Sequence, residues 1–282
     1  MKLSPRLIEL TAKVLAVLLL IAGSIMFMMP FWTSLMISLK TPGEVAKTSS
    51  WSWPQHLTTD NYHTVLTNPN VSFSQFFINT AIIAVLSTLG VIISSSLVAY
   101  AFARLRFWGR DRLFILFIST MMLPPIVTMI PTYLLFKELH WVDTFLPLIV
   151  PAWFGGGAFN IFLLRQFFMT IPRDLDEAAL LDGAGHLRIW WKIILPLSKP
   201  ALVTVCLFSF VGAWRDFMGP LIYLDSVEKQ TLELGLSTYN SLRAQEWHLL
   251  MAGSVLVTIP LIVLFFIGQR YFVKGITMTG IK

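Results

Sequence analysis

The chain has 282 residues, of which 56% are hydrophobic and 13% charged, with a formal net charge of +6 and a mean hydropathy of +0.72. Soluble globular domains carry about 25% charged residues, so this composition excludes one and indicates a polytopic membrane protein. The one cysteine, Cys206, lies inside an apolar run, which excludes an intramolecular disulfide and leaves a small packing residue.

Met1 to Lys13 is short and basic, and the apolar run from Val14 to Leu39 exceeds a signal-peptide core. It is a retained first span, kinked at Pro30. A polar segment from Lys40 to Ser74 follows, with Trp51 and Trp53 suited to a membrane interface. The second span covers 75–103 and ends on the basic loop Arg104, Arg106, Arg110 and Arg112, whose charge is a topology signal rather than a nucleic-acid site. The third span, 113–136, contains Pro124, Pro125 and Pro131. It is either broken, lining a cavity, or simply kinked. The fourth, 145–164, holds Gly155-Gly156-Gly157 beside Asn160, which is either a pathway group or a helix-packing hydrogen-bond partner. The fifth, 201–224, carries Arg215 and Asp216 towards its outer end, either a polar patch on a substrate path or a mutually neutralising pair. The sixth, 247–272, includes Pro260 and leads into a basic tail.

Between the fourth and fifth spans lies a segment of 165–200 with a different grammar. Asp174 stands three residues before Glu177, the spacing of a capping box. Asp176 and Glu177 place negative charge at the positive end of the helix dipole. Gly183 stands where a left-handed C-terminal cap belongs. These signals predict a helix of about two turns from Leu175 to Asp182, with Leu175, Ala178 and Ala179 on one face and Leu180 and Leu181 flanking it. Such a helix either inserts into a groove or lies on the membrane surface with Glu177 as a cap. Trp190 and Trp191 read as an interfacial anchor, and Pro196 and Pro200 break the chain before the next span.

Six spans put both termini on one side. Fifteen of the 21 Lys and Arg residues then fall on the side of the termini, and Lys40, Lys47, Lys137, Arg215, Lys229 and Arg243 on the other. The positive-inside rule makes the termini and the 165–200 loop cytoplasmic. The chain has no Walker sequence, no His-Glu-x-x-His and no ligand spacing among His56, His63, His140, His186 and His248, so no catalytic, cofactor or metal residue is assigned.

Glu177-Ala178-Ala179, Gly183, Ile193 and Leu195-Pro196 stand at a fixed spacing that resembles, without departure, the EAA loop of ATP-binding-cassette importer permeases. Trp53-Pro54 and Thr59-Asp60-Asn61-Tyr62 are similar to the first external loop of the sugar-type branch. Gly275 to Lys282 loosely resembles the tail of maltose-type permeases, whereas Arg215 departs from the Trp-Asn-acidic-Phe pattern often found there. The resemblance implies an all-α polytopic membrane protein of six transmembrane helices of the type I importer kind. It divides into a cytoplasmic N-terminus (1–13), a permease domain (14–273) and a cytoplasmic tail (274–282) in a bacterial inner membrane. Glu177, Ala178, Ala179, Leu180, Leu181, Asp182 and Gly183 would form the helix that docks on an ATPase. Implied partners are a second homologous permease, two ATPase subunits carrying the ATP and magnesium, an extracytoplasmic solute-binding protein, the lipid bilayer and a small-molecule solute. The implied solute is a carbohydrate or related polyhydroxy compound. Two rivals stand beside this reading: a secondary transporter, which would need more intramembrane ionisable groups, and a membrane assembly protein, which would not need the EAA spacing.

Overall fold

The computed structural model describes residues 5–67, 72–242 and 246–278, and every regular element among them is helical. The last residues of the tail, 279–282, lie outside the described residues, as do Arg243 and residues 1–4. The chain forms two compact units, one of residues 1–71 with 238–258, the other of residues 72–237 with 259–282.

In the first unit, helix α1 (Pro5–Ser38) contains Pro30, and α2 spans Asp60–Thr67. The polar stretch between them is ordered around a buried ammonium. Lys40 donates to Thr48 Oγ1 at 3.1 Å, Ser49 O at 2.7 Å and Ser52 Oγ at 2.9 Å, so all three of its donor directions are met by neutral oxygens. Asn61 Nδ2 donates to Ser38 O at 2.7 Å and Lys40 O at 2.9 Å, and Ser38 Oγ lies 2.7 Å from the Tyr62 hydroxyl. The Glu44 carboxylate accepts from Gln55 N at 2.6 Å. Trp32 and Trp53 pack with ring centroids 6.0 Å apart.

In the second unit, α3 (Phe73–Arg104) is the central helix, and it is the small residues along it that let neighbours approach. Gly156 has φ +61, and a Cβ there would stand 2.7 Å from Ser95 Cβ and 2.8 Å from Val91 O. Ser94 Oγ donates to Ala152 O at 2.8 Å. Helix α4 (Arg110–Ser119) continues as a 3-10 turn to Met122, and α5 (Pro125–Glu138) departs at 97° from it. Pro124 and Pro125 supply no N–H to carry the helix across, and the helix is broken there rather than gently kinked.

The helical stretch Leu146–Thr170 runs through a helical turn, a 3-10 turn, the three glycines and α6 (Ala158–Thr170). It therefore extends past the expected end at Leu164. Arg165, expected to open the loop, is inside α6, with its guanidinium 4.0 Å above the Phe114 ring. Helix α7 is Asp174–Leu181 and α8 is His186–Leu197. The middle of α8, Trp190–Ile194, widens into a π turn just before Pro196, whose ring would crowd the carbonyl four residues back. Helix α9 (Lys199–Trp214) leaves α8 at 84°. The expected fifth span, 201–224, is interrupted: α9 stops at Trp214, and α10 (Met218–Tyr223) begins after Arg215, Asp216 and Phe217. Helices α11 (Leu232–Leu242) and α12 (Trp247–Met278) complete the chain. Among the described residues, four helical stretches are long and apolar enough to cross a membrane, or up to six if each sharply bent pair is one span.

The core of the second unit gathers where α3, α4, α6, α8 and α9 meet, with Ala99, Ala103, Ile161, Leu164, Phe168, Ile189, Ile194 and Val205 all buried. It lies directly beneath α7.

Candidate coupling site

Helix α7 is short, so its ends decide its stability. Its C-terminus is a Schellman motif: Ala184 N donates to Ala179 O at 2.9 Å and Gly183 N to Leu180 O at 3.0 Å, with Gly183 at φ +80. The N-terminus departs from the sequence reading. Asp176 N and Glu177 N both donate to Arg173 O, at 2.9 and 3.1 Å, and no side chain caps the helix. The expected capping box fails because Arg173 already has helical angles (φ −72, ψ −24). Asp174 thus becomes the first helical residue instead of the cap. Asp174, Asp176 and Glu177 remain in the first turn, where the dipole favours them.

Arg104, the last residue of α3, fixes this turn from below. Its Nη2 donates to Ile171 O at 2.8 Å, closing the C-terminus of α6, and its Nε lies 3.4 Å from Asp176 Oδ2. One buried guanidinium thus joins the ends of α3 and α6 to the start of α7. Burial pushes the Asp176 carboxyl above the ordinary carboxylate value, against the opposing pull of Arg104, Arg173 and His186. Asp176 Oδ1 and Arg104 Nε are buried without a hydrogen-bond partner. The Tyr100 hydroxyl lies 3.3 Å from His186 Nδ1, a second tie from α3, here to the start of α8. Ala179 and Ala184 pack against the core.

The remaining residues of α7 point to solvent. Leu181 is 90% exposed, Leu175, Ala178, Leu180 and Asp182 are exposed, and Leu187 and Trp191 extend the apolar surface. Glu177 and Leu180 border an open cleft of about 580 Å³ whose floor includes Tyr100, Arg104 and Asp176. The helix is seated at its base and leaves an uncovered leucine face, the kind of surface that meets either a protein or a membrane.

The three candidate path residues do not converge on one another. Asn160 Nδ2 donates to Gly156 O at 2.8 Å, a local bond across the glycine break. Arg215 and Asp216 do not neutralise each other: Arg215 lies 3.8 Å from Glu233, and Asp216 Oδ1 accepts from Gly219 N at 3.1 Å in the first turn of α10. Burial raises the Glu233 carboxyl above its ordinary value, and Arg215 pulls the other way. Sequence reasoning missed the seating pair. Arg104 was read only as loop charge and Asp176 only as a dipole residue, and a single buried contact between segments 72 residues apart leaves no periodic signal. It also missed Asp143, which accepts from Asp225 N at 3.1 Å, Ser226 N at 2.9 Å and Lys229 Nζ at 2.7 Å, and clasps two loops that sequence places far apart.

Residues 87–278 match the model of the family described as "binding-protein-dependent transport system inner membrane component". The chain belongs to that family. It is similar to the arabinooligosaccharides transport system permease protein AraQ of Bacillus subtilis, 32% identical over 92% of each chain. It is 36% identical to the osmoprotective compounds uptake permease protein GgtD of Synechocystis, over 87% of this chain and 84% of that one. The trehalose/maltose transport system permease protein MalG of Thermococcus litoralis is 34% identical, over 80% and 81%. Among solved structures, a chain of a bacterial ABC transporter that imports the acidic polysaccharide alginate superposes with a TM-score of 0.83 and 26% identity, covering 96% of this chain and all of that one. Membership makes this chain a non-enzymatic transport permease of the inner membrane, with the all-α fold of type I importer permeases.

Proposed function

We propose that this permease is one of two homologous membrane subunits of an ATP-driven, binding-protein-dependent importer for a carbohydrate or related polyhydroxy solute. Its ATPase partners carry the ATP and magnesium, and α7 is the helix they grip. The observation that carries the reading is α7 itself. Its leucine face is uncovered while its base is held by a buried guanidinium at the ends of two long helices. A push on Leu175, Ala178, Leu181 or Asp182 is thereby delivered to α3 and α6 rather than absorbed in a loop.

The carbohydrate class draws support from relatives named for arabinooligosaccharide and trehalose/maltose transport, and from a structural neighbour that imports alginate. A solved structure of alginate transporter with a pentasaccharide-bound periplasmic protein shares the fold at 16% identity, and supports delivery by such a protein. The orientation, with both termini and α7 in the cytoplasm, rests on the distribution of Lys and Arg. Alternating access follows: closure of the ATPase dimer carries α7 inward and reorients the helices. Switching a population from 1:99 to 99:1 requires about 5.5 kcal/mol of difference in how ATP-bound partners hold the two states.

The test is a pull-down of the tagged chain from mild-detergent membranes, with an ATPase assay on wild type and Glu177→Ala. An ATPase and a second permease should come down with wild type, and the substitution should loosen the ATPase. A chain that comes down alone and still moves solute in ATP-depleted vesicles overturns the reading.

A further inference from the structure

The loop joining α3 to α4 builds a second open cavity that adjoins the coupling cleft, with Arg106, Phe107 and Arg173 bordering both. Arg106, Arg110, Arg112 and Arg173 line a space of about 630 Å³, with Phe107 and Trp108 on its rim. Its one acid, Asp111, is already engaged by Arg110 at 3.0 Å and faces Arg165 at 3.9 Å. Arg106 and Arg112 are exposed and form no ion pair among the described residues. Gly109, at φ +77, turns the loop back so that arginines on either side of it face one space. Trp108 is 94% exposed at the junction of two apolar helices, the placement of an aromatic residue at headgroup level.

We propose that this cavity holds the phosphate headgroup of an anionic phospholipid, with a doubly charged cardiolipin-type headgroup the best fit. The proposal rests on the reading that this loop is cytoplasmic. A topology signal needs only positive charge near a span and not its convergence on one space. Arginine forks match phosphate oxygens in pairs, and a basic pocket between transmembrane segments on the cytoplasmic side suits such a headgroup. Bound there, the lipid would brace the α3–α4 turn beside Arg173, the residue whose carbonyl starts α7.

The test uses the transporter complex as purified, or the full chain alone if no partner co-purifies, so that failure of the importer reading leaves the measurement standing. The readout is native mass spectrometry after exchange into detergent with cardiolipin, phosphatidylglycerol or phosphatidylcholine. Cardiolipin should be retained by wild type and phosphatidylcholine should not. Removing two cationic side chains from an anionic contact weakens it about thirtyfold, so Arg106→Gln with Arg112→Gln should release it. Arg112→Gln alone, at an exposed position, should weaken retention about fivefold and covers failure of the double variant to fold. Equal retention by the variants overturns the proposal. Displacement by millimolar inorganic phosphate overturns the lipid source in favour of free phosphate. Loss of the ATPase subunit with unchanged lipid retention overturns it in favour of an acidic protein surface.

Discussion

Arg104→Gln removes the cation beneath α7 while keeping most of its length. The side chains of Arg104 and Asp176 are 3% and 14% exposed, with 3.4 Å between Nε and Oδ2. Breaking a buried pair by removing one partner costs about 3–5 kcal/mol, because the other charge is stranded. Two features lower that figure here. The pair is imperfect, with Arg104 Nε and Asp176 Oδ1 lacking hydrogen-bond partners. In addition, burial already raises the Asp176 carboxyl, so protonation is an escape from stranding. About 2 kcal/mol at neutral pH is the expected loss, or a thirtyfold rise in the opening of α7. Hydrogen–deuterium exchange over residues 172–186 reads it directly. The sign of the pH dependence follows from linkage. With its folded value raised above 3.8, Asp176 holds its proton more tightly in the folded state, so its contribution is full below that value and is lost as pH rises through the raised value. Removing Arg104 raises the folded value further. Arg104→Gln should therefore seat α7 nearly as well as wild type in mild acid and loosen it at neutral pH. Adding Asp176→Asn should restore much of the neutral-pH protection, since a neutral pair strands no charge. Unchanged exchange in Arg104→Gln, or a double variant as loose as the single one, would refute the seating argument.

Glu177→Ala and Gly183→Asp should each abolish solute uptake in membrane vesicles while leaving insertion intact; normal uptake by both removes α7 from the coupling role. Gly183→Ala isolates the backbone term, since a Cβ there meets nothing within 4 Å while φ is +80, and about 1–2 kcal/mol of left-handed strain should fray the end of α7 in exchange measurements. Gly156→Ala should destabilise the second unit by at least about 2 kcal/mol, because its Cβ would meet Ser95 and the Val91 carbonyl and its φ is +61. An unchanged melting temperature in detergent would contradict that close approach. The hydrogen bonds from Lys229 and Ser226 hold the Asp143 carboxyl well below the usual carboxylate range, so its clasp is present above the ordinary value of 3.8 and is lost only in strong acid as pH falls through the folded value. Asp143→Asn should speed exchange around residues 224–230 at neutral pH, and equal exchange would exclude the clasp.

The helical content and the place of α7 were legible because each depends on neighbours in sequence: apolar runs, acidic residues opening a turn, a glycine closing it. The capping box misled for the same reason. Asp174 and Glu177 have the right spacing, but the backbone enters the helix one residue earlier, at Arg173, which spacing alone does not reveal. The prolines left a break and a simple kink open for the third span, and the 97° bend that decides between them depends on tertiary packing rather than on local sequence. The interruption at Arg215–Phe217 was hidden because the flanking runs, Lys199–Trp214 and Met218–Tyr223, are both apolar and read as one.

The deeper obscurity is that hydropathy reports removal from water and says nothing of whether lipid or protein does the removing. The most apolar windows of α1 and α3 have mean hydropathies of 2.5 and 2.3, yet none of the first is buried and 44% of the second is. What separates them is the small polar residues of α3. Asn79 donates to Glu228 O at 2.7 Å and Gln230 O at 2.9 Å, Thr80 Oγ1 accepts from Leu232 N at 2.8 Å, and Ser94 reaches Ala152. In a membrane helix such groups need protein partners, so their density marks the central helix where hydrophobicity cannot. The same logic applies at the end of α3. An arginine placed one turn beyond Tyr100, at the boundary where lipid stops, either snorkels to water as a topology charge or finds a carboxylate. Arg104 finds Asp176, while Arg106 and Arg112 keep their charge for the cavity beside it. Converting Arg104 therefore acts on the seat of α7, whereas converting Arg112, which borders the lipid space and not the coupling cleft, acts on the lipid contact alone. A variant set that moved both readouts together would show that the two arginine groups form one site.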